Sequence, residues 1–144
     1  MFNIALRWTW NSAEADELVQ EAFLKLWSRR RGIKPMTANA YLFRTLLNLC
    51  QNFSRRRDVV HRAKQWLGLD GTKEIGSQPD SYVDGKALQR AIDTLKPAQR
   101  SVLLLVEFSG LSHKEVAEVL NIPVGTVGSR RNTALAKLKE QLSD

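Results

Sequence analysis

Apolar positions along this chain recur at helical intervals. Between residues 14 and 30, Ala15, Leu18, Val19, Ala22, Phe23, Leu26 and Trp27 follow the spacing of a single buried stripe, which predicts an amphipathic helix. Its first turn is expected to carry Glu14, Asp16 and Glu17 and its last turn Arg29 and Arg30, which complements the helix dipole. Gly32 and Pro35 then break it. A second long helix is expected from about Ala38 to Arg57, with Leu42, Phe43, Leu46, Leu47, Cys50 and Phe53 on one side. Residues 2–10 are compatible with a short preceding helix, and Trp8 and Trp10 do not settle it.

The stretch from Gly68 to Ser81 has no period and is rich in Gly, Ser, Asp and Pro, so it reads as a flexible linker. Beyond it, Leu88, Ala91, Ile92 and Leu95 mark a short helix, and Pro97 fits the first turn of the next, which runs to about Ser109. Gly110 and Leu111 form a turn, and Ser112 with Glu115 has the form of a capping box. Val116, Ala117 and Leu120 give that helix its apolar face; Asn121 to Pro123 break it. Val124 to Gln141 make a final helix with Val127, Leu135, Leu138 and Leu142 inward. A short helix, a three-residue turn and a longer helix are the spacing of a helix-turn-helix. The pattern predicts an all-α chain of two small helical domains: residues 1–66, a linker over 67–86, and a helix-turn-helix domain over 87–144.

Charge adds a direction to this picture. The 144 residues hold 22 Lys and Arg against 15 Asp and Glu, a net of +7. Residues 1–66 hold 12 basic against 5 acidic side chains, and residues 87–144 hold 8 against 6. The excess is therefore in the first half, largely in Arg29 to Arg31 and Arg55 to Arg57. Such runs suit nucleic acid, although a basic balance alone does not establish it. The longest strongly apolar run, Val102 to Val106, is far short of the roughly 20 residues that a spanning helix needs, and no secretory signal opens the chain. These features point to a cytoplasmic protein without membrane insertion. The lone Cys50 cannot form an internal disulfide and is expected in the core. His61 and His113 lack metal-ligand spacing, and no Gly-rich phosphate loop or nucleophilic triad is suggested. No enzyme activity, metal or other cofactor is expected.

The last helix opens with Gly125, Thr126 and Ser129, followed by Arg130 and Arg131. Small and hydroxyl residues let a helix N-terminus approach a phosphate, and arginines reach base edges. From Leu95 to Arg130 the sequence resembles the promoter-reading C-terminal domain of bacterial sigma factors of the sigma-70 family, specifically the two-domain extracytoplasmic-function type. Glu14-Ala-Asp-Glu-Leu-Val-Gln-Glu-Ala-Phe-Leu-Lys-Leu-Trp is similar to the polymerase-binding helix of the other sigma domain. Ala40 to Leu49, with Arg55 to Arg57, is similar to the helix that melts and reads the −10 element.

The resemblance implies roles. Asp16, Glu17, Gln20 and Glu21 would dock on the β′ clamp helices of core RNA polymerase, and the C-terminal domain would sit by the β flap. Arg44, Asn48, Arg55, Arg56 and Arg57 would serve the −10 element, beside a loop over residues 31–39 that receives a flipped base. Asn48 falls among apolar neighbours there, so the alternative is a satisfied core or capping amide. Thr126, Val127, Ser129, Arg130 and Arg131 would contact the −35 element. Promoter DNA, core polymerase and an anti-sigma factor are the implied partners.

Several positions depart from the family pattern. Asp16-Glu17 reverses the usual acidic order. Gly128 and Thr133 stand where basic residues are common, and Arg131 where an apolar one is. Relatives usually carry about one more helix before the segment that starts here. The rival expectations are a free-standing helix-turn-helix regulator acting as a dimer and, more distantly, a DNA-processing recombinase.

Overall fold

The computed structural model describes residues 1–69 and 83–143, and each long element among them is an α-helix. The first, α1 (Phe2–Thr9), ends where Trp10 takes a left-handed conformation, φ 53°. Asn11 then caps α2 (Ser12–Ser28), its side chain accepting the Glu14 N–H at 3.0 Å. Because Asn11 is the cap, α2 starts two residues earlier than the apolar stripe suggests. Arg29 and Arg30 lie past its end, and Lys25 is the basic residue of its last turn. Two single 3₁₀ turns, Arg30–Gly32 and Pro35–Thr37, lead into α3 (Ala38–Trp66).

The third helix runs nine residues beyond the expected stop at Arg57. The apolar period fades there, yet nothing from Asp58 to Trp66 is Gly or Pro, so the helix continues through charged and polar residues. It ends at Gly68, φ 73°, with the Leu69 N–H returning to the Lys64 carbonyl at 2.8 Å, a helix stop that favours glycine.

The second half comprises α4 (Val83–Asp93), α5 (Pro97–Phe108), α6 (His113–Leu120) and α7 (Val124–Leu142). The α4 start lies inside the segment assigned to the linker; residues 70–82 of that linker lie outside the described residues. The capping box is formed: Ser112 Oγ accepts the Glu115 N–H at 3.1 Å, and Glu115 accepts the Ser112 N–H at 3.0 Å. The Ser112 N–H and hydroxyl hold the Glu115 carboxyl below its ordinary pKa.

The two halves are packed together. One buried cluster joins Ile4, Trp8, Leu46, Leu47 and Cys50 to Val102, Leu104, Leu105, Val116 and Val119. A smaller one lies within the second half around Ile92, Leu95, Leu103 and Leu138, and Trp10 packs against it. Polar contacts reinforce the join. Arg100, 4% exposed, stacks on the Trp8 ring at 4.2 Å and donates to Asp93 at 2.9 Å and to the Arg7 carbonyl. Trp10 Nε1 donates to the same Asp93 oxygen at 3.0 Å. Arg7 covers the Phe108 ring at 3.9 Å.

The apolar stripes are only partly covered. Ala15, Leu18 and Ala22 are buried, but Phe23 is 49% and Trp27 65% exposed. At the end of α2, Phe23 and Trp27 line an open pocket with Ile33, Pro35 and Ala38 instead of a packed core. Leu135 and Leu142, expected inward, are exposed as well, whereas Leu138 is buried. Phe43 and Cys50 are in the core as expected, and burial pushes the Cys50 thiol up to about 12, against the opposing pull of Arg100. Among the described residues, no helix is long and apolar enough to cross a membrane.

Candidate nucleic-acid interface

The turn from α6 to α7 is set by Asn121, left-handed at φ 55°, and by the extended Pro123 at the α7 N-terminus. That N-terminus has no side-chain cap, so its first N–H groups are open to an anion. Gly125 and Ser129 are exposed on α7, and Thr126 and Arg130 are half-buried. Two of the expected contact residues turn the other way. Val127 is fully buried and belongs to the main core, so it anchors α7 and presents nothing to DNA. Arg131 places Nε at 3.1 Å and Nη2 at 3.0 Å from one Glu107 oxygen, tying α7 to α5. It occupies an inward-leaning helical position.

The exposed face holds residues that periodicity alone did not single out. Asn132 follows Ser129 by three positions and is exposed, and Val124 is 49% exposed at the helix tip. An asparagine on such a face has the donor and acceptor pair that matches an adenine edge, and an apolar tip suits a thymine methyl. A Cβ added at Gly128 meets nothing within 4 Å.

On α3 the buried side is Leu42, Phe43, Leu46, Leu47 and Cys50. Arg44, Asn48 and Arg55 share the opposite, exposed stripe, at spacings of four and seven residues. Asn48 is exposed, which removes the buried-amide alternative. Arg56 is exposed on a neighbouring face. Arg57 turns back toward α1, donating to the Thr9 carbonyl at 3.3 Å, so the third arginine of the run is a brace within the fold. Arg44, in this arrangement, is engaged by the other half: Nε donates to the Val119 carbonyl at 2.8 Å and Nη2 to that of Glu118 at 2.9 Å.

Two pockets flank the turn between α2 and α3. One, of about 410 Å³, is lined by Ser28, Arg29, Arg31, Gly32, Ile33 and Tyr41. The other, of about 310 Å³, is apolar and lined by Phe23, Leu26, Trp27, Ile33, Pro35 and Ala38, with Arg30 stacked on Trp27 at 4.1 Å. The first combines arginines with an aromatic ring at the start of the 31–39 loop.

On α2, Asp16, Glu17, Gln20 and Glu21 are all exposed, and Glu21 makes a loose pair with Lys25 at 3.9 Å. Leu24, 66% exposed, continues the same face. Sequence reasoning passed over it because a leucine outside the stripe carries no signal of its own.

Residues 1–59 match the family model for sigma-70 region 2, and residues 85–138 match that for sigma-70 region 4. The chain is 34% identical over 137 residues to the ECF RNA polymerase sigma factor EcfG of Rhodopseudomonas palustris, covering 92% of this chain and 73% of that protein. It is 29% identical over 147 residues to the ECF RNA polymerase sigma factor SigE of Mycolicibacterium smegmatis, covering 99% of this chain and 57% of that protein. The chain thus spans little more than half the length of the latter relative. Among solved structures, it is similar to the sigma factor RpoE of Bartonella quintana in complex with the anti-sigma factor NepR, with TM-score 0.71 and 25% identity over 99% of this chain and 89% of that one. The fold is also that of CnrH in its complex with the cytosolic domain of CnrY, with TM-score 0.74 and 22% identity over 99% of this chain and 79% of that one. Both family matches occur in order on one chain, and the relatives span both halves: the chain belongs to the extracytoplasmic-function type of the sigma-70 family of RNA polymerase sigma factors.

Proposed function

We propose that this chain is a dissociable promoter-specificity subunit of bacterial RNA polymerase, acting in the cytoplasm and catalysing no reaction of its own. The observation that carries this reading is the presence on one chain of an exposed acidic face on α2 and an uncapped helix-turn-helix tip on α7. The α2 face, Asp16, Glu17, Gln20 and Glu21 with Leu24, docks on the β′ clamp helices. The α7 face, Gly125, Thr126, Ser129, Arg130 and Asn132, reads the −35 element beside the β flap. Arg44, Asn48, Arg55 and Arg56 serve the −10 element, and the pocket bounded by Arg31, Ile33 and Tyr41 receives an unstacked base. Extruding a base costs a few kcal/mol, which ring stacking and hydrogen bonds to its edge offset. An anti-sigma factor is the proposed antagonist, in keeping with the partner named for the Bartonella quintana relative.

A reconstituted transcription assay tests this reading. Core polymerase with the protein will initiate at its cognate promoter; absence of both polymerase binding and initiation at every promoter tried refutes it. Within that assay, Arg130→Ala will weaken initiation at promoters that depend on the −35 element by about 1–3 kcal/mol, the cost of one base contact. Unchanged activity removes Arg130 from the interface.

Gly128→Lys has room for its Cβ and relieves a glycine penalty of about 1 kcal/mol in the helix. Its added cation will tighten duplex binding and steepen the log–log salt slope by about 0.9. A flat response, read by fluorescence anisotropy across a salt series, shows that the position faces away from DNA.

A further inference from the structure

We infer that Arg44 is a latch: it holds the two halves in a closed resting state and must release before the chain can read a promoter. The inference rests on the promoter-binding reading above for its consequence, and on contacts within the chain for its mechanism.

The latch begins with the sequence of the helix-turn-helix. At the end of α6, the Ala117 and Glu118 carbonyls accept the Ile122 N–H at 3.0 Å and the Asn121 N–H at 3.3 Å. In a continuing helix the Val119 carbonyl would take the N–H of residue 123, but residue 123 is proline and has none. The turn that aims α7 therefore orphans the Val119 carbonyl. Arg44, 75 residues away in sequence, fills the vacancy: Nε reaches Val119 at 2.8 Å, while Nη2 reaches Glu118 at 2.9 Å. Two donors of one planar guanidinium meet two adjacent carbonyls, an arrangement that fixes direction as well as distance. The cation also lies at the negative end of the α6 dipole. Both acceptors are main-chain atoms, so the side chain that can make or break this contact is Arg44 itself.

Closure and promoter reading make incompatible demands. Arg44 lies on the stripe of α3 that carries Asn48 and Arg55; while its guanidinium faces α6, it cannot neutralise a phosphate. Distance adds a second conflict. The −35 and −10 elements lie about 25 base pairs apart, or about 85 Å along a duplex. A compact chain of this length has a radius of gyration of about 15 Å and is about 40 Å across. One closed body cannot lie on both elements. Thirteen residues separate Leu69 from Val83, a length that reaches about 45 Å when extended, so separation of the halves is sterically available.

The chain contains its own reporter. Cys50 is its single cysteine and has no exposed surface. It belongs to the cluster shared by both halves, and the neighbouring Gln51 donates to Ser101 of α5 at 3.3 Å. Opening the halves admits a thiol reagent to this position, so the labelling rate of the native full-length chain measures the opening equilibrium.

Arg44→Ala is expected to label about tenfold faster than the parent chain, less than the full loss of its two charge-assisted hydrogen bonds because the exposed guanidinium site is rehydrated. Urea unfolding of the same variant, compared with Leu18→Ala as a control destabilised inside the first half, separates opening from global unfolding. Small-angle scattering is expected to show a larger radius of gyration for Arg44→Ala than for the parent. Arg44→Lys keeps the charge but not the fork, and will label at an intermediate rate; it is the decisive variant should Arg44→Ala fail to fold. Parent-like labelling by the folded Arg44→Ala chain, or by Arg44→Lys in its place, overturns the inference. So does a parent chain whose scattering is already that of two separated bodies. A chain that latches in these measurements yet binds no polymerase would leave the latch standing and refute the functional reading instead.

Discussion

Replacing Asp93 with alanine will lower the thermal unfolding midpoint by about 10 °C. One Asp93 oxygen accepts both Arg100 Nη2 at 2.9 Å and Trp10 Nε1 at 3.0 Å. The Arg100 side chain is only 5% exposed, and its Nε has no partner among the described residues. Burial pushes the Arg100 guanidinium down to about 10, against the opposing effect of Asp93. Removing one partner of a buried pair costs about 3–5 kcal/mol, because the other charge remains desolvated. Asp93 is itself 36% exposed, so water takes over part of its role, and about 2–3 kcal/mol is the discounted figure. In a domain of this size each kcal/mol shifts the midpoint by about 4 °C.

The Arg131–Glu107 pair supplies the contrast. It has a similar separation, 3.0 Å, but its side chains are 34% and 40% exposed. Glu107→Ala should therefore cost no more than about 1 kcal/mol. Scanning calorimetry of both variants tests whether burial, and not pairing as such, decides the effect. Equal shifts would refute that explanation.

The contrast also shows what was legible in the sequence. The helices of the second half are announced by local chemistry. Ser112 and Glu115 cap α6, Pro97 opens α5, and Asn121 to Pro123 stop one helix and start another; each signal acts within a few residues and survives in any tertiary setting. The acidic residues of α2 and the tip of α7 were legible for the same reason. The far end of α3 was not, since a charged helix without Gly or Pro looks like the end of an apolar stripe. The roles of Arg44, Arg57 and Arg131 were hidden for another reason. Each resembles a free surface cation in sequence, but its partners, the carbonyls of Val119 and Thr9 and the carboxylate of Glu107, lie 24 to 75 residues away. Phe23 and Trp27 failed in the opposite direction. Their spacing is that of a core stripe, but burial requires a closely packed second surface, and at the end of α2 the start of α3 leaves an open pocket. The shared core of the two halves was likewise invisible, because a linker composition reveals that two units can separate and not whether they pack.

Reversing the charges of Asp16 and Glu17, both to lysine, will reduce affinity for core polymerase about a hundredfold and promoter-dependent transcription with it. Loss of close charge contacts at a protein interface commonly costs 2–5 kcal/mol, and about 2.7 kcal/mol corresponds to this factor. The competing explanation is that these carboxylates merely balance the α2 dipole. Their position argues against it: α2 starts at Ser12, and Glu14 is the acidic residue of its first turn. Asp16 and Glu17 lie in the next turn, where the dipole field has largely fallen off. Both are exposed, and neither carries an ion pair among the described residues. Their removal should leave the helix content and the unfolding midpoint almost unchanged, which circular dichroism checks.

The reversal has a second, opposite signature. It adds four units of positive charge to a half that already holds 12 basic and 5 acidic side chains, so binding to non-specific duplex will strengthen and its salt slope will steepen. Weaker polymerase binding with stronger DNA binding is a combination that misfolding does not produce. Leu24→Ala on the same face, neutral in charge, should weaken polymerase binding alone. If the double reversal left polymerase affinity intact, the acidic face of α2 would be only a solvated helix surface, and the docking site would have to be sought elsewhere on the chain.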